Sequence, residues 1–165
     1  MAENLKQAIQ REYLNCVKSP VHFMKKYCKI QHPTKGKIKF NLYDYQEEML
    51  TDFKDNRYNI ILKSRQLGIS TLSAGYSLWL MLFNNDKNVL VIAKDKDTAK
   101  NLVTKVRVMY SGLPQWLKTK VVEDNKLSLV FNNGSQIKAV AATAEAGRSE
   151  ALSLLVIDEA AFIDK

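Results

Sequence analysis

The stretch Asn59–Ile–Ile–Leu–Lys–Ser–Arg–Gln–Leu–Gly–Ile–Ser–Thr71 decides how the chain is read. It opens apolar, crosses a short loop around Gly68, and continues into a helical pattern from Leu72 to Phe83. A strand that hands a glycine-containing loop to a helix N-terminus builds an anion site, because free backbone N–H groups and the helix dipole point into one small volume. The loop meets the triphosphate-binding frame G-x-x-x-x-G-K-[ST] only in part. Gly68 and Ser70 stand at the second glycine and at the hydroxyl that faces magnesium. Ile69 stands where the frame has lysine, and Lys63 where it has its first glycine. Two readings follow. Either the loop is dead, or the lysine has moved to the other end of the loop, from which a long side chain can still reach a phosphate.

A second stretch favours the living reading. Leu152–Ser–Leu–Leu–Val–Ile–Asp158–Glu159 is an apolar run that ends in two adjacent acids. A dry strand end tolerates such a pair only when cations or donors meet it. Beside a phosphate loop, Asp158 would hold Mg²⁺ and Glu159 would polarise the attacking water.

Composition sets the outer limits. The chain has 165 residues, 46% of them hydrophobic, which suits one folded domain with a real core. Its two cysteines, Cys16 and Cys28, lie in a helical region without metal-like spacing and read as ordinary thiols in a reducing compartment. Met1–Arg11 is too polar for a signal peptide, and the longest apolar run, Leu78–Phe83, is too short to span a bilayer. The net charge of +8 is lopsided: residues 1–40 hold nine lysines and arginines against two glutamates. The basic side chains are densest at Lys25, Lys26, Lys29, Lys35, Lys37 and Lys39. Such a cluster is either a solvated face or a surface for a polyanion such as DNA.

The remaining pattern supplies a frame. Residues 3–16 suit a helix, and Ser19–Pro20 suits the cap and first turn of a second helix reaching about Ile30. Gln31–Gly36 reads as a turn or linker, and His22 and His32 as surface or packing residues. Tyr45, Met49 and Phe53 mark one face of a helix that begins near Gln46, an amide able to pair with the edge of adenine. Arg57–Leu62 reads as a core strand buried on both faces, followed by the buried helix Leu72–Phe83 and a strand Val89–Ala93. A helix from Asp97 or Thr98 to about Tyr110 turns Leu102, Val103, Val106 and Met109 inward, and Trp116 and Leu117 sit in a short packing turn. Asn132–Asn133–Gly134 joins two strand-like runs as a hairpin. The small-residue segment 143–150, holding Arg148, leads to the acidic strand. Alternating strands and helices imply an α/β fold, with a mostly parallel sheet, helices on both faces, and a helical N-terminal region.

These residues carry a resemblance. Tyr45–Gln46, Lys63–Ser–Arg–Gln–Leu–Gly–Ile–Ser70, Asn132–Asn–Gly–Ser135, Arg148 and Val156–Ile–Asp–Glu–Ala–Ala–Phe–Ile163, in this order, resemble the ATPase part of large terminase subunits of tailed bacteriophages, myovirus type. The match covers roughly residues 38–165, leaving 1–37 as a basic helical N-terminal region. The resemblance implies an ASCE-type P-loop NTPase that binds ATP and Mg²⁺ and hydrolyses ATP to drive double-stranded DNA into a capsid. It implies a nucleotide site built from Gln46, Lys63, Ser64, Gln66, Leu67, Gly68, Ile69, Ser70, Thr71 and Arg148. Within it Ser70 and Asp158 would hold the metal, Glu159 would act as base, and Arg65 would lie close to the γ-phosphate. A portal protein, a small terminase subunit and an oligomeric ring are the partners it implies, in the cytoplasm of an infected cell and away from membranes. The nuclease domain expected of such motors is not in the sequence, so an N-terminal piece with weak or no hydrolysis of its own is expected. Two other readings stay open: a helicase-type ATPase, and a non-hydrolysing P-loop module that docks on DNA or on a portal.

Overall fold

A computed structural model describes residues 2–143, 146–147 and 151–163. Helices α1 (Ala2–Lys18) and α2 (Pro20–Tyr27) come first, then a short hairpin of β1 (Lys29–His32) and β2 (Gly36–Lys39), then α3 (Asp44–Asp55). The second half alternates: α4 (Ile69–Phe83), β3 (Asn88–Ala93), α5 (Lys96–Ser111), β4 (Val121–Asn125), β5 (Ser128–Phe131), β6 (Gln136–Ala141) and β7 (Leu154–Asp158). Single 3₁₀ turns sit at Gln115–Leu117 and Ala160–Phe162.

Side-chain caps open two of the helices, the first at the expected Ser19 and the second at Asp95, ahead of the expected start at Asp97 or Thr98. Ser19 Oγ accepts the His22 N–H at 3.1 Å with Pro20 in the first turn of α2, and Asp95 accepts the Thr98 N–H at 2.7 Å to open α5. The Thr98 backbone N–H, and after it the Thr98 hydroxyl donating to Oδ2 at 3.1 Å, hold the Asp95 carboxyl below its ordinary range.

Five strands form one sheet in the order β4-β5-β6-β3-β7. β3 runs parallel to both β6 and β7, while β4–β5 and β5–β6 are antiparallel. The sheet is therefore mixed, not mostly parallel as the alternation implied. The difference lies in the Asn132–Gly134 hairpin, which turns β5 against β6, and in β4, which the polar Val121–Asn125 run did not announce. Helices pack one face. Val89, Val91, Ala93, Ile137 and Ala139 share a core with Leu72, Leu78 and Met81 of α4 and Leu102, Val106 and Met109 of α5. The alternate residues of β7, Leu155 and Ile157, remain 45% and 49% exposed, so among the described residues the expected second helical layer does not cover them.

Arg57–Leu62 departs most from expectation. It forms no ladder, and Ile60 and Leu62 are fully exposed at 101% and 102%. An apolar run supplies burial energy but not a hydrogen-bonding neighbour. β7 pairs with β3 along one side only, and 57–62 does not reach its other side to pair. The reading of 31–36 as a linker is also replaced: these residues belong to the β1–β2 hairpin. His32 Nδ1 accepts the backbone N–H groups of Thr34 and Lys35 at 3.2 Å each, and Gly36 takes φ +68°, which closes the turn. Correspondingly, α2 ends at Tyr27 rather than near Ile30.

The N-terminal helices brace α4. Trp79 Nε1 donates to the Cys16 carbonyl at 2.8 Å, and Phe23 meets Phe83 edge-on at 5.3 Å. The Asn132–Ser135 turn locks the other end of the sheet. Asn133 Nδ2 donates to the carbonyls of Met81 (2.9 Å) and Asn84 (3.0 Å), and Ser135 Oγ donates to Asn84 O at 2.9 Å. Gly134, at φ +78°, leaves room for Asp86, whose Oδ1 would lie 2.1 Å from an added Cβ.

Candidate functional site

The parallel strands end together: Ala93 of β3 is in register with Ala141 of β6 and with Asp158 of β7. Open α/β sheets present ligands at that carboxyl end. There Lys63 Nζ lies 3.9 Å from Asp158 Oδ1. The two motifs thus meet, by an ion pair rather than across paired strands. Asp158 Oδ1 also accepts the Glu159 N–H at 3.1 Å.

A third charged group joins them that the sequence did not point to. Lys105 of α5 is half-buried and feels both Asp158 and Lys63. Burial is the main force that lowers its pKa; Lys63 adds to it and Asp158 opposes it. The faint signal is that Lys105 follows Leu102 by three and precedes Met109 by four, which places a lysine on the rim of a buried stripe.

The loop itself is shaped for an anion. Gly68 caps α4 in the left-handed region, φ +72°, and no side chain caps the helix there. The first intrahelical bond runs from Leu72 N to Gly68 O at 2.9 Å, so the N–H groups of Ile69, Ser70 and Thr71 lack helical acceptors. Ser70 sits in this first turn, half-buried. Ile69 is buried, which gives a physical reason why a lysine is absent from that position: the side chain there points into protein. Of the three described non-glycine residues with positive φ, two lie in the site: Gln66 at 65° and Glu159 at 55°. Held backbone of this kind concentrates at ligand-binding segments. Donors from a helix end, one lysine and one carboxylate form a set that suits a phosphate together with a hard divalent cation.

Gln46 is buried (2% exposed) and is engaged within the fold. Its Nε2 donates to Leu67 O at 3.0 Å and its Oε1 accepts the Tyr43 N–H at 3.1 Å. It sets the loop: a Cβ at position 68 would fall 2.9 Å from Nε2. Tyr45 OH donates to the same Leu67 carbonyl at 2.9 Å, and the Tyr43 and Tyr45 rings stack, 5.7 Å apart and 7° from parallel. Ser64, Arg65 and Glu159 are exposed beside the loop and strand end. Arg148 lies outside the described residues. Asn132–Ser135 stands at the opposite end of the sheet from Asp158, where its bonds are structural.

Around α1 and α2 a different polar group forms. Glu12 Oε1 accepts from His22 Nε2 (2.7 Å), Lys26 Nζ (2.9 Å) and Tyr27 OH (3.0 Å). The His22 bond is the first cause that pulls the Glu12 carboxyl down to about 2. Cys16 joins Glu12 and His22, so the thiol has neighbours of metal-binding type that its spacing did not suggest. Burial pushes this thiol up to about 12, away from the thiolate that a metal needs, and the Lys26 ammonium already occupies the carboxylate. The cluster is a hydrogen-bonded clasp between helices.

The family model for "Terminase large subunit, T4likevirus-type, N-terminal" matches residues 60–165. This chain belongs to that family. Among solved structures, the large terminase of bacteriophage HK97 is similar in fold, with a TM-score of 0.66 and 16% identity over 86% of this chain. The chain spans 30% of the length of that terminase. Among the described residues no helix is long and apolar enough to cross a membrane.

Proposed function

We propose that this terminase chain binds Mg–ATP between the 63–70 loop and the end of β7, and that it is the nucleotide-hydrolysing part of a motor that packages double-stranded DNA. The observation that carries the reading is the approach of Lys63 Nζ to Asp158 Oδ1 at 3.9 Å beside the uncapped start of α4. The N–H groups of residues 69–71 would take the β- and γ-phosphate oxygens, and Lys63 would turn from Asp158 to the phosphates. Ser70 and Asp158 would hold Mg²⁺, which supplies charge neutralisation of the phosphates. Glu159, exposed next to Asp158, would orient the attacking water, and Arg65 would stabilise the charge that spreads onto the γ-phosphoryl oxygens. Gln46 acts from behind the loop as a brace, and an adenine-reading role would require it to give up one of its two internal bonds. Family membership supports, as part of this proposal, coupling to DNA movement and a portal, a small subunit and a ring as partners.

Titration calorimetry with Mg–ATP tests this. The wild type is expected to bind and Lys63→Ala to lose binding by about tenfold or more, as removal of a charge-assisted phosphate contact requires. Equal affinity in both proteins would leave the relocated lysine without a role. No binding by a folded wild type would make the loop a dead module.

A further inference from the structure

The β1–β2 hairpin concentrates the basic residues of the N-terminal region on one exposed face. Its register sets Lys29 directly opposite Lys39, and Gln31 opposite Lys37. All four are exposed, while Ile30 and Ile38 alternate with them on the inner side and Ile30 packs on the core. Lys35 projects from the turn. Like charges placed directly across a ladder oppose pairing, so this arrangement weakens the hairpin that carries it.

More positive charge converges from behind. Lys37 Nζ donates to Ser111 Oγ at 2.9 Å, and Lys118 Nζ donates to Ser111 O at 3.1 Å. The stem of Lys29 runs beside Gly112, 3.4 Å from where a Cβ would sit. Lys29, Lys37 and Lys118 therefore border the C-terminal end of α5, Lys35 and Lys39 lie on the same hairpin, and none of the five has a carboxylate partner among the described residues. By contrast, Lys25 and Lys26 nearby are paired with Glu47 and Glu12. The helix end attracts the cations only in part. The surplus suits a dense polyanion that brings its own charge.

We infer that this lysine hairpin is a docking surface for the phosphate backbone of duplex DNA, independent of base sequence. The choice of duplex DNA as the occupant rests on the packaging reading above; the hairpin geometry itself does not. A lysine face of this kind binds by releasing counterions, so affinity falls steeply with salt, by a slope of about −0.9 per phosphate contacted. Four or five such contacts give a slope near −4.

The test is fluorescence anisotropy of a labelled 30-base-pair duplex, titrated with the intact chain between about 50 and 200 mM salt. The key variant is Lys39→Glu. Its carboxylate would face Lys29, so the hairpin should hold or gain thermal stability while its positive field falls. Expected are a loss of DNA affinity of about tenfold or more and a salt slope shallower by about one or more. Lys126→Glu, on the β4–β5 turn, changes net charge by the same amount and should leave both nearly unchanged. An equal loss in the two variants would overturn the proposal, because bulk charge would then account for binding. So would a wild type without salt-dependent binding, or one that holds polyglutamate as tightly as the duplex, which would point to an acidic protein surface. Mg–ATP affinity measured on the same samples keeps the two readings apart. Lys39→Glu should bind nucleotide like the wild type, and a wild type that binds DNA but no nucleotide would break the nucleotide reading alone.

Discussion

The clasp between α1 and α2 and the loop beside β7 are opposite solutions to placing charge in a small fold. In the clasp, one carboxylate oxygen of Glu12 takes three donors, the aromatic rings interlock, and Trp79 ties the helices to α4. At the loop, one lysine and one carboxylate approach at 3.9 Å, Gln66, Gly68 and Glu159 hold left-handed backbone, and the apolar run 57–62 stays in solvent. Stability resides where partners are complete. Binding capacity resides where donors, charges and strained backbone lack partners inside the chain.

Four substitutions should break or sharpen that contrast. The largest loss is expected on the closed side. Phe23→Ala removes a fully buried ring that meets Phe83, and should cost about 3–5 kcal/mol in urea unfolding. Glu12→Gln should cost less, roughly 1–3 kcal/mol near neutral pH, because it weakens three hydrogen bonds at a partly exposed site. This pair also has a pH signature. The Glu12 carboxyl is held at about 2 against an ordinary 4.5, so its contribution is complete above pH 4.5 and fades as the pH drops toward 2. Unfolding curves of the wild type should show that slope, and those of Glu12→Gln should lack its share.

On the open side, Gly68→Ala meets both a φ of +72° and the Gln46 amide at 2.9 Å, and should cost about 1–2 kcal/mol while disturbing the loop. A thermal midpoint equal to that of the wild type would show that the loop is not held by Gln46. The smallest effect is expected from Leu62→Ser. A fully exposed leucine adds no packing, so stability should stay within about 0.5 kcal/mol. A loss of several kcal/mol would mean that 57–62 is buried in the protein as it exists in solution.

Much of this division could be read from residue patterns. The cap at Ser19, the buried helix α4, strands β3 and β7 and the Asn132–Gly134 turn each rest on local rules, and local rules survive tertiary context. The convergence of Lys63 and Asp158 was legible because a loop–helix start and an acidic strand end have few ways to be arranged around one sheet. The missing parts are nonlocal. The hairpin at 29–39 hid because its strands are four residues each and rich in lysine, which strands disfavour. β4 hid for a similar reason. Lys105 became visible only when α5 packed it toward the strand end. The 57–62 run misled because aliphatic residues report a preference for burial and say nothing about which strand stands beside them.

The central claim is that residues 63–70 and Asp158 enclose one metal-bound phosphate site. Its most direct test is the magnesium dependence of ATP binding by Asp158→Asn, measured by calorimetry with and without Mg²⁺ beside the wild type. The account predicts that Mg²⁺ strengthens ATP binding to the wild type and loses most of that effect in the variant. A variant whose ATP affinity still rises with Mg²⁺ as it does in the wild type would contradict it.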